Sequence, residues 1–472
     1  MRALLPESPK ARTIGDRLVY PRVMSLTESL LRVSWPMLMA TRAGRRLPGR
    51  LAPRLSPGFL TAVKQVNGER LARAEGQGRA TFAAYPGFIT VAGTSRCNIR
   101  CEFCINQWDA LPDGSNRPHM TAEHVQAIVS EVFPYIRKLA LSVSGEPLYD
   151  PHFQELLDAA RKYGVFVEFT TNAMLVSKPG MLDRILQGVG RVNISMDGAT
   201  PATYERLRTG SKFDKVCENV RLLTEGRARR GQRTPEYNIR YILMKDTIDE
   251  LPAMVDLAKD LGVDHLYTNH IQVFMEELKD QSLLAHKARA NAAFARARER
   301  AAARSQVVVL PEDFDLSAPE PPPPPLVTPG ATVAEVEGQA WAGTGAVERA
   351  APRPAELPPA AYTGRCPYLW DQAFFEADGS VFPCCNSGGV AMGHLDRAPD
   401  FWSIWTGDTY SHMRATVYSP QCHDICVNCY LREGTQASEA FVRPVQGAGV
   451  GGWGRLRRAL GLGGRTAPRP AG

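Results

Sequence analysis

Apolar stretches of strand length alternate with helix-length stretches from Thr81 to Phe274, and this alternation limits the folds open to the chain more than any other feature. Thr81 to Gly93, Lys138 to Val143, Val165 to Thr170, Arg191 to Met196, Tyr237 to Met244 and His265 to Phe274 read as strands. Ala122 to Val132, Phe153 to Tyr163, Gly180 to Gln187, Lys212 to Arg227 and Ile248 to Leu261 read as the helices between them. A helix between two strands implies parallel pairing with right-handed crossovers. About six units are too few for a closed eight-unit barrel. The expected fold class is therefore α/β, a partial (β/α)6 TIM-like barrel over residues 81–284, followed by a small Cys-rich domain.

The flanking regions differ in character. Residues 1–80 form a basic N-terminal extension, with 15 Lys/Arg against 5 Asp/Glu. Within it Ser25 to Thr41 is apolar at helical spacing, Thr27 or Ser25 would cap it, and Pro36 would kink or end it. Packing on the body is the expected role. Residues 285–361 combine a helix at Ala285 to Arg304, lacking a strong apolar stripe, with a Pro- and Ala-rich linker from 316 to 361. The Cys-rich domain spans 362–435, and residues 436–472 are a Gly/Arg-rich tail in which Trp453 to Leu462 is basic and amphipathic.

The formal net charge of +7 sits at the two ends, since the tail after Val442 adds 6 Arg and no acid. Basic ends suit anionic lipid or another acidic partner. Nucleic acid is not expected, because no aromatics interleave with the basic residues. No run of about 18 uncharged apolar residues exists and no signal-peptide core opens the chain, so the default address is cytoplasmic.

Nine of the ten cysteines are grouped, three within residues 97–104 and six within 366–429. A secreted disulfide protein spreads its cysteines through a short chain; close groups in a large one point to metal. Cys97, Cys101 and Cys104 can wrap one face of a metal centre from a single loop. A four-iron cluster takes four ligands, so three thiolates leave one iron open for chemistry. Zinc would need a fourth ligand, and His119 and His124 lie downstream. Cys217 stands alone in an expected helix and reads as a buried structural thiol.

The run Cys97-Asn-Ile-Arg-Cys101-Glu-Phe-Cys104 resembles the radical S-adenosylmethionine (SAM) signature, with Phe103 before the last cysteine. The resemblance implies a SAM-binding 4Fe-4S cluster whose open iron is chelated by the amino and carboxylate groups of SAM. It also implies reductive cleavage of SAM to a 5′-deoxyadenosyl radical that abstracts a substrate hydrogen. Ser144-Gly145-Glu146-Pro147 resembles the family's Gly-Gly-Glu motif, which implies that Gly145 and Glu146 meet the SAM amino group; Ser144 replaces the first glycine. Asn193-Ile-Ser195-Met-Asp197-Gly198 is similar to a Ser-x-Asp-Gly motif, implying Ser195 on SAM polar groups and Asp197 as a catalytic residue orienting SAM or substrate. Tyr204 to Gly210 resembles a segment supplying an arginine to the SAM carboxylate; Arg208 is the choice, with Arg206 nearby. Thr171, Asn172, Met244 and Lys245 end strands at the same mouth and are weaker candidates.

In the C-terminal region Asp378-Gly379 between apolar runs signals a hairpin that brings Cys366 and Cys384 together. The order of features there resembles SPASM/twitch domains, which hold auxiliary 4Fe-4S clusters. Six cysteines fall short of the eight that two clusters need, so a single cluster is expected on Cys366, Cys384, Cys426 and Cys429, with Cys385 and Cys422 as alternatives. Structural zinc is the competing reading. The resemblance implies an electron donor such as flavodoxin or ferredoxin and a peptide or small natural-product substrate. A non-catalytic iron–sulfur electron-transfer or scaffold protein is the alternative.

Overall fold

The computed structural model describes residues 16–51, 57–104, 118–141, 144–273, 276–317, 366, 368–385, 390–423 and 426. Cys429, most of the Pro-rich linker and the C-terminal tail lie outside the described residues.

The α-helices up to residue 304 are, in chain order, α1 (Asp16–Ala40), α2 (Arg42–Leu51), α3 (Pro57–Gly76), α4 (Ala122–Glu131), α5 (Phe153–Tyr163), α6 (Met181–Gly188), α7 (Pro201–Leu207), α8 (Phe213–Arg229), α9 (Leu251–Asp260) and α10 (Lys287–Arg304). The strands are β1 (Phe88–Val91), β2 (Arg100–Cys101), β3 (Lys138–Leu141), β4 (Phe166–Thr171), β5 (Arg191–Ser195), β6 (Arg208–Thr209), β7 (Glu236–Leu243), β8 (His265–His270), β9 (Val307–Val309), β10 (Gln372–Phe375), β11 (Ser380–Phe382) and β12 (Gly393–His394).

The six expected barrel strands pair in parallel in the order β1-β3-β4-β5-β7-β8. Their helix-facing side chains, among them Val167, Phe169, Val192, Ile194, Tyr237 and Ile239, are essentially buried. This is the open, partial barrel that the strand count required. Local signals set its turns: Thr121 caps α4 by accepting from the His124 N–H, and α5 stops at Gly164 in the left-handed region at φ 61°.

Four strands extend the sheet beyond the expected six. β9, inside the stretch expected to be helix and linker, pairs in parallel with β8. β10 pairs in parallel with β1 on the other edge, and β11 and β12 follow antiparallel. The sheet thus runs without a break across the boundary expected at residue 362. The hairpin at Asp378-Gly379 is present, with Gly379 at φ +94°.

The N-terminal helices pack on the body. Trp35 is fully buried and donates from Nε1 to the Ala83 carbonyl at 2.7 Å. Lys64 Nζ donates to the Tyr163 and Gly164 carbonyls at the end of α5, and burial lowers its pKa to about 7. Arg45 pairs with Asp400 at 2.7 Å, tying α2 to the C-terminal region. The capping expected at Ser25 or Thr27 is not observed: α1 begins at Asp16 and continues past Pro36 to Ala40, because burial of Leu31, Trp35 and Met39 outweighs one lost backbone hydrogen bond. α10 buries a stripe of three alanines and one aromatic residue, Ala290, Ala293, Phe294 and Ala297, which the sequence shows only faintly because alanine is weakly apolar. Cys217 is buried in α8, as expected of a structural thiol. No helix among the described residues is long and apolar enough to cross a membrane.

Candidate functional site

The first cysteine group occupies the loop leaving β1, at the end of the sheet where parallel strands deliver their C-terminal residues. Short contacts hold this loop from several sides. Ser95 donates its N–H to the Pro118 carbonyl at 3.0 Å. β2 pairs antiparallel with β6, which sets Cys101 opposite Arg208. The Glu102 N–H donates to the Leu207 carbonyl at 3.0 Å, and Arg206 pairs with Glu102 at 3.2 Å.

Gly145 explains the glycine of the Ser-Gly-Glu run. It sits at φ +63°, and a Cβ there would lie 2.4 Å from the Thr94 carbonyl oxygen and 2.6 Å from that of Arg96. Its close approach is therefore to the backbone entering the cysteine loop. The next residue donates its N–H to the Arg96 carbonyl at 2.8 Å. Ser144 Oγ donates to Glu376 Oε1 at 3.0 Å, across to the residue following β10.

The Glu146 carboxylate is buried and raised in pKa by that burial, an effect opposed by three donors. Thr171 Oγ1 at 2.6 Å and the Leu148 N–H at 3.2 Å donate to Oε1, and the Asn172 N–H at 2.8 Å donates to Oε2. Glu146 thus locks the end of β4. That lock aims Asn172, whose Nδ2 donates to Asn98 Oδ1 at 2.9 Å and reaches Cys97 Sγ at 3.7 Å. Thr171 and Asn172, the weaker candidates, therefore stand at the centre of the site.

Asp197 and Arg208 meet each other. Expectation gave Arg208 to a SAM carboxylate and Asp197 to SAM or substrate, but here Arg208 Nε donates to Asp197 Oδ2 at 2.7 Å and Nη2 donates to the same oxygen. The Ile242 N–H at 2.7 Å donates to Oδ1. Asp197 is fully buried and Arg208 nearly so; two charges removed from water require each other. The remaining reach of Arg208 is toward the cysteines: Nη1 donates to Cys101 Sγ at 3.4 Å, and the guanidinium lies 5.6 Å from the Phe103 ring centroid. The pairing left no local trace in the sequence, because it depends on β6 forming against β2. Ser195 ends β5 half-buried. Met244 is buried in a small apolar cluster with Leu207, Ile271 and Val273, and Lys245 pairs with Asp280.

The thiols lie in a demanding setting. Burial raises Cys97 and pushes Cys101 up to about 12, although Arg208 pulls Cys101 down. Thiolates so placed need a cation to hold their charge. N–H donors directed at two of the three sulfurs match the surroundings of an iron–sulfur cluster, whose sulfurs accept such bonds. The donor set therefore fits a cluster with one iron left open. The two histidines weighed for zinc are engaged elsewhere: His124 Nε2 lies 2.6 Å from Asp396 Oδ1, and His119 stacks on Tyr149. Among the described residues no group of three His, Cys, Asp or Glu converges as a single metal ion would require.

In the second group Cys426 is hydrogen-bonded with Cys422 and lies within electrostatic reach of Cys384 and Cys366; the Cys422 bond and burial both raise its pKa. The structure thus gathers Cys366, Cys384, Cys422 and Cys426, bringing in Cys422, one of the alternatives. Cys422 is fully buried, whereas Cys385 is exposed. Cys366 is fixed by its N–H donating to the Tyr418 hydroxyl at 2.8 Å.

Comparison with known families agrees with this geometry. Residues 91–258 match the radical SAM superfamily, and residues 366–430 match the SPASM iron–sulfur cluster-binding domain. The chain carries a radical SAM domain followed by a SPASM domain. A 4Fe-4S cluster and SAM go with the first, and auxiliary iron–sulfur binding goes with the second. Over 189 residues the chain is 26% identical to the tungsten-containing aldehyde ferredoxin oxidoreductase cofactor-modifying protein of Pyrococcus furiosus, covering 40% of this chain and 52% of that protein. Over 212 residues it is 25% identical to the PqqA peptide cyclase of Streptomyces rochei, covering 44% of this chain and 54% of that one. The chain thus spans about half the length of these curated relatives. Streptococcus suis SuiB, solved with its precursor peptide SuiA, aligns at a TM-score of 0.48 and 14% identity, over 76% of this chain and 71% of that one.

Proposed function

We propose that this chain is a radical SAM enzyme of the oxidoreductase or maturase type, acting on a peptide or small natural-product substrate. When bound, the cluster and SAM supply an electron and a sulfonium that yield a 5′-deoxyadenosyl radical able to take hydrogen from an unactivated carbon. The observation that carries the reading is that Cys97, Cys101 and Cys104 lie within electrostatic reach of one another, with the Asn172 and Arg208 N–H donors turned to two of them, at the C-terminal ends of the parallel strands.

The chain's own residues divide the work. Arg208 and Asn172 donate to ligand sulfurs, and Asp197 fixes Arg208. Asp197 is therefore a positioning residue in this reading. Glu146 Oε2 carries one hydrogen bond and keeps acceptor capacity for the SAM ammonium. Gly145 brings that carboxylate against the cysteine loop, and Ser195 offers its hydroxyl from β5. In the C-terminal region Cys366, Cys384 and Cys426, together with Cys422 or Cys429, would hold the auxiliary cluster. The name of the PqqA peptide cyclase relative favours a peptide, and that of the Pyrococcus relative favours a cofactor-sized molecule. A flavodoxin or ferredoxin would supply the electron.

Contact with an anionic surface belongs to the same proposal. Leu30, Val33 and Met37 of α1 are 70–82% exposed beside α2, which has basic residues and no acid. Flotation with anionic vesicles tests it, and failure to float at low salt would end it.

Anaerobically reconstituted, reduced protein incubated with SAM should release 5′-deoxyadenosine. Intact clusters with no release would favour the alternative, a non-catalytic electron-transfer or scaffold protein.

A further inference from the structure

The face of the sheet opposite the helices carries a connected set of charges. Lys138 pairs with Glu168 at 2.6 Å, Glu168 with Arg191 at 3.2 Å, Arg191 with Glu236 at 3.1 Å, and Glu236 with His265 at 3.3 Å. Every charged member of that row has an opposite partner. Arg240, further along β7 on the same face, differs. Its Nε donates to Asn193 Oδ1 at 3.2 Å, and its guanidinium lies 4.5 Å from the Tyr267 ring centroid. Among the described residues no carboxylate stands within ion-pairing distance of it.

The register gives its position. Arg240 lies between Ser195 of β5 and Tyr267 of β8. Ile242, two residues further along β7, donates to the Asp197 that fixes Arg208 beside Cys101. Arg240 is therefore two residues, roughly 6–7 Å, deeper along β7 than the Ile242 that holds Asp197. A molecule lying under the cofactor would meet it there. Glu168 and Glu236 act on this guanidinium only at longer range, its fork makes no hydrogen bond among the described residues, and a bidentate oxyanion is what its geometry accepts. The stack on Tyr267 and the bond to Asn193 hold the fork in one orientation before any ligand arrives.

We propose that Arg240, oriented by Asn193 and Tyr267, binds an oxyanion of the substrate, a carboxylate or a phosphate. The substrate is then an acidic peptide or an anionic small molecule. This rests on the enzymatic reading above and assigns the substrate class of that same barrel.

Full-length reconstituted protein with SAM present is titrated calorimetrically with inorganic phosphate and, separately, with succinate, which tells the two oxyanions apart. The parent protein should bind at least one of them. Arg240→Gln should weaken that binding tenfold or more, and Arg240→Lys should restore most of it. Tyr267→Leu, which removes the stack that orients the guanidinium, should weaken it a few-fold; with Arg240→Lys it decides the matter if Arg240→Gln does not fold. SAM affinity by equilibrium dialysis should change less than twofold. Parent protein that binds neither anion, or an Arg240→Gln variant that binds as the parent does, overturns the proposal. So does an Arg240→Gln variant that loses SAM affinity but binds decarboxylated SAM as the parent does, since the anion would then belong to the cofactor. Release of 5′-deoxyadenosine by the parent protein tests the underlying reading separately, so the two can fail independently.

Discussion

Cys97, Cys101 and Cys104 sit on a loop fixed by other parts of the barrel, through Gly145, the β2–β6 pair and the side chains of Asn172 and Arg208. In the second group Cys384 follows β11, which extends the same sheet, while Cys366, Cys422 and Cys426 lie outside its strands, and Cys426 is hydrogen-bonded with another thiol, Cys422. The first group has donors turned toward sulfur. The second has sulfur turned toward sulfur. A site that leaves an iron open must be aimed at something, so its surroundings need orientation. A closed cluster needs only its ligands, and the metal itself completes the fold.

The contrast can be broken first at the second group, where the effect is largest. Cys426→Ala should remove a whole auxiliary cluster, about four irons per chain. Cys422→Ala should do the same if Cys422 is the fourth ligand, while Cys385→Ala should leave the iron content unchanged. Iron and labile-sulfide assays of anaerobically purified protein check this. Equal loss in Cys385→Ala would return the ligand set to its other alternative, and zinc without sulfide would remove the auxiliary cluster altogether.

The first group is tested through its positioning pair. Asp197→Ala leaves Arg208 buried without its counter-charge, and breaking such a pair costs about 3–5 kcal/mol. Denaturant titration measures the loss. A change under about 1 kcal/mol would mean that Arg208 finds another partner or reaches water.

A smaller effect comes from the charged row on the barrel face, away from both cysteine groups. Burial opposes the charge of Glu236, but hydrogen bonds from His265, Arg191 and Asn238 prevail and lower its pKa to about 2 from 4.5. Its stabilising contribution is therefore full above about pH 4.5 and is lost as pH falls toward 2. Glu236→Gln should cost about 2–3 kcal/mol at pH 7. The gap from the parent should close as the pH approaches 2, read as denaturant midpoints of metal-free protein. A gap independent of pH would show that the network is held by packing.

The barrel was legible because each of its strands is a run of apolar or β-branched residues between clear helical segments. β9 was not, since Val307 to Val309 is three residues long and gains strand structure only from the exposed edge of β8. The joining of β10 to β1 was hidden because the partners lie almost 300 residues apart, and no local pattern encodes such a pairing. α7 did leave a trace: Thr200 before Pro201 is an N-cap followed by the residue suited to the first turn. At the site, the cysteines, Gly145 and Glu146 could be read from motifs. The Asp197–Arg208 pair could not, because burial, rather than spacing, forces it.

Electron paramagnetic resonance of the reduced, reconstituted full-length protein, with and without SAM, reaches the central claim most directly. A cluster on Cys97, Cys101 and Cys104 with an open iron should change its signal when SAM binds, and Cys101→Ala should abolish that change while the auxiliary signal persists. A fully loaded protein whose spectrum is indifferent to SAM would contradict the account.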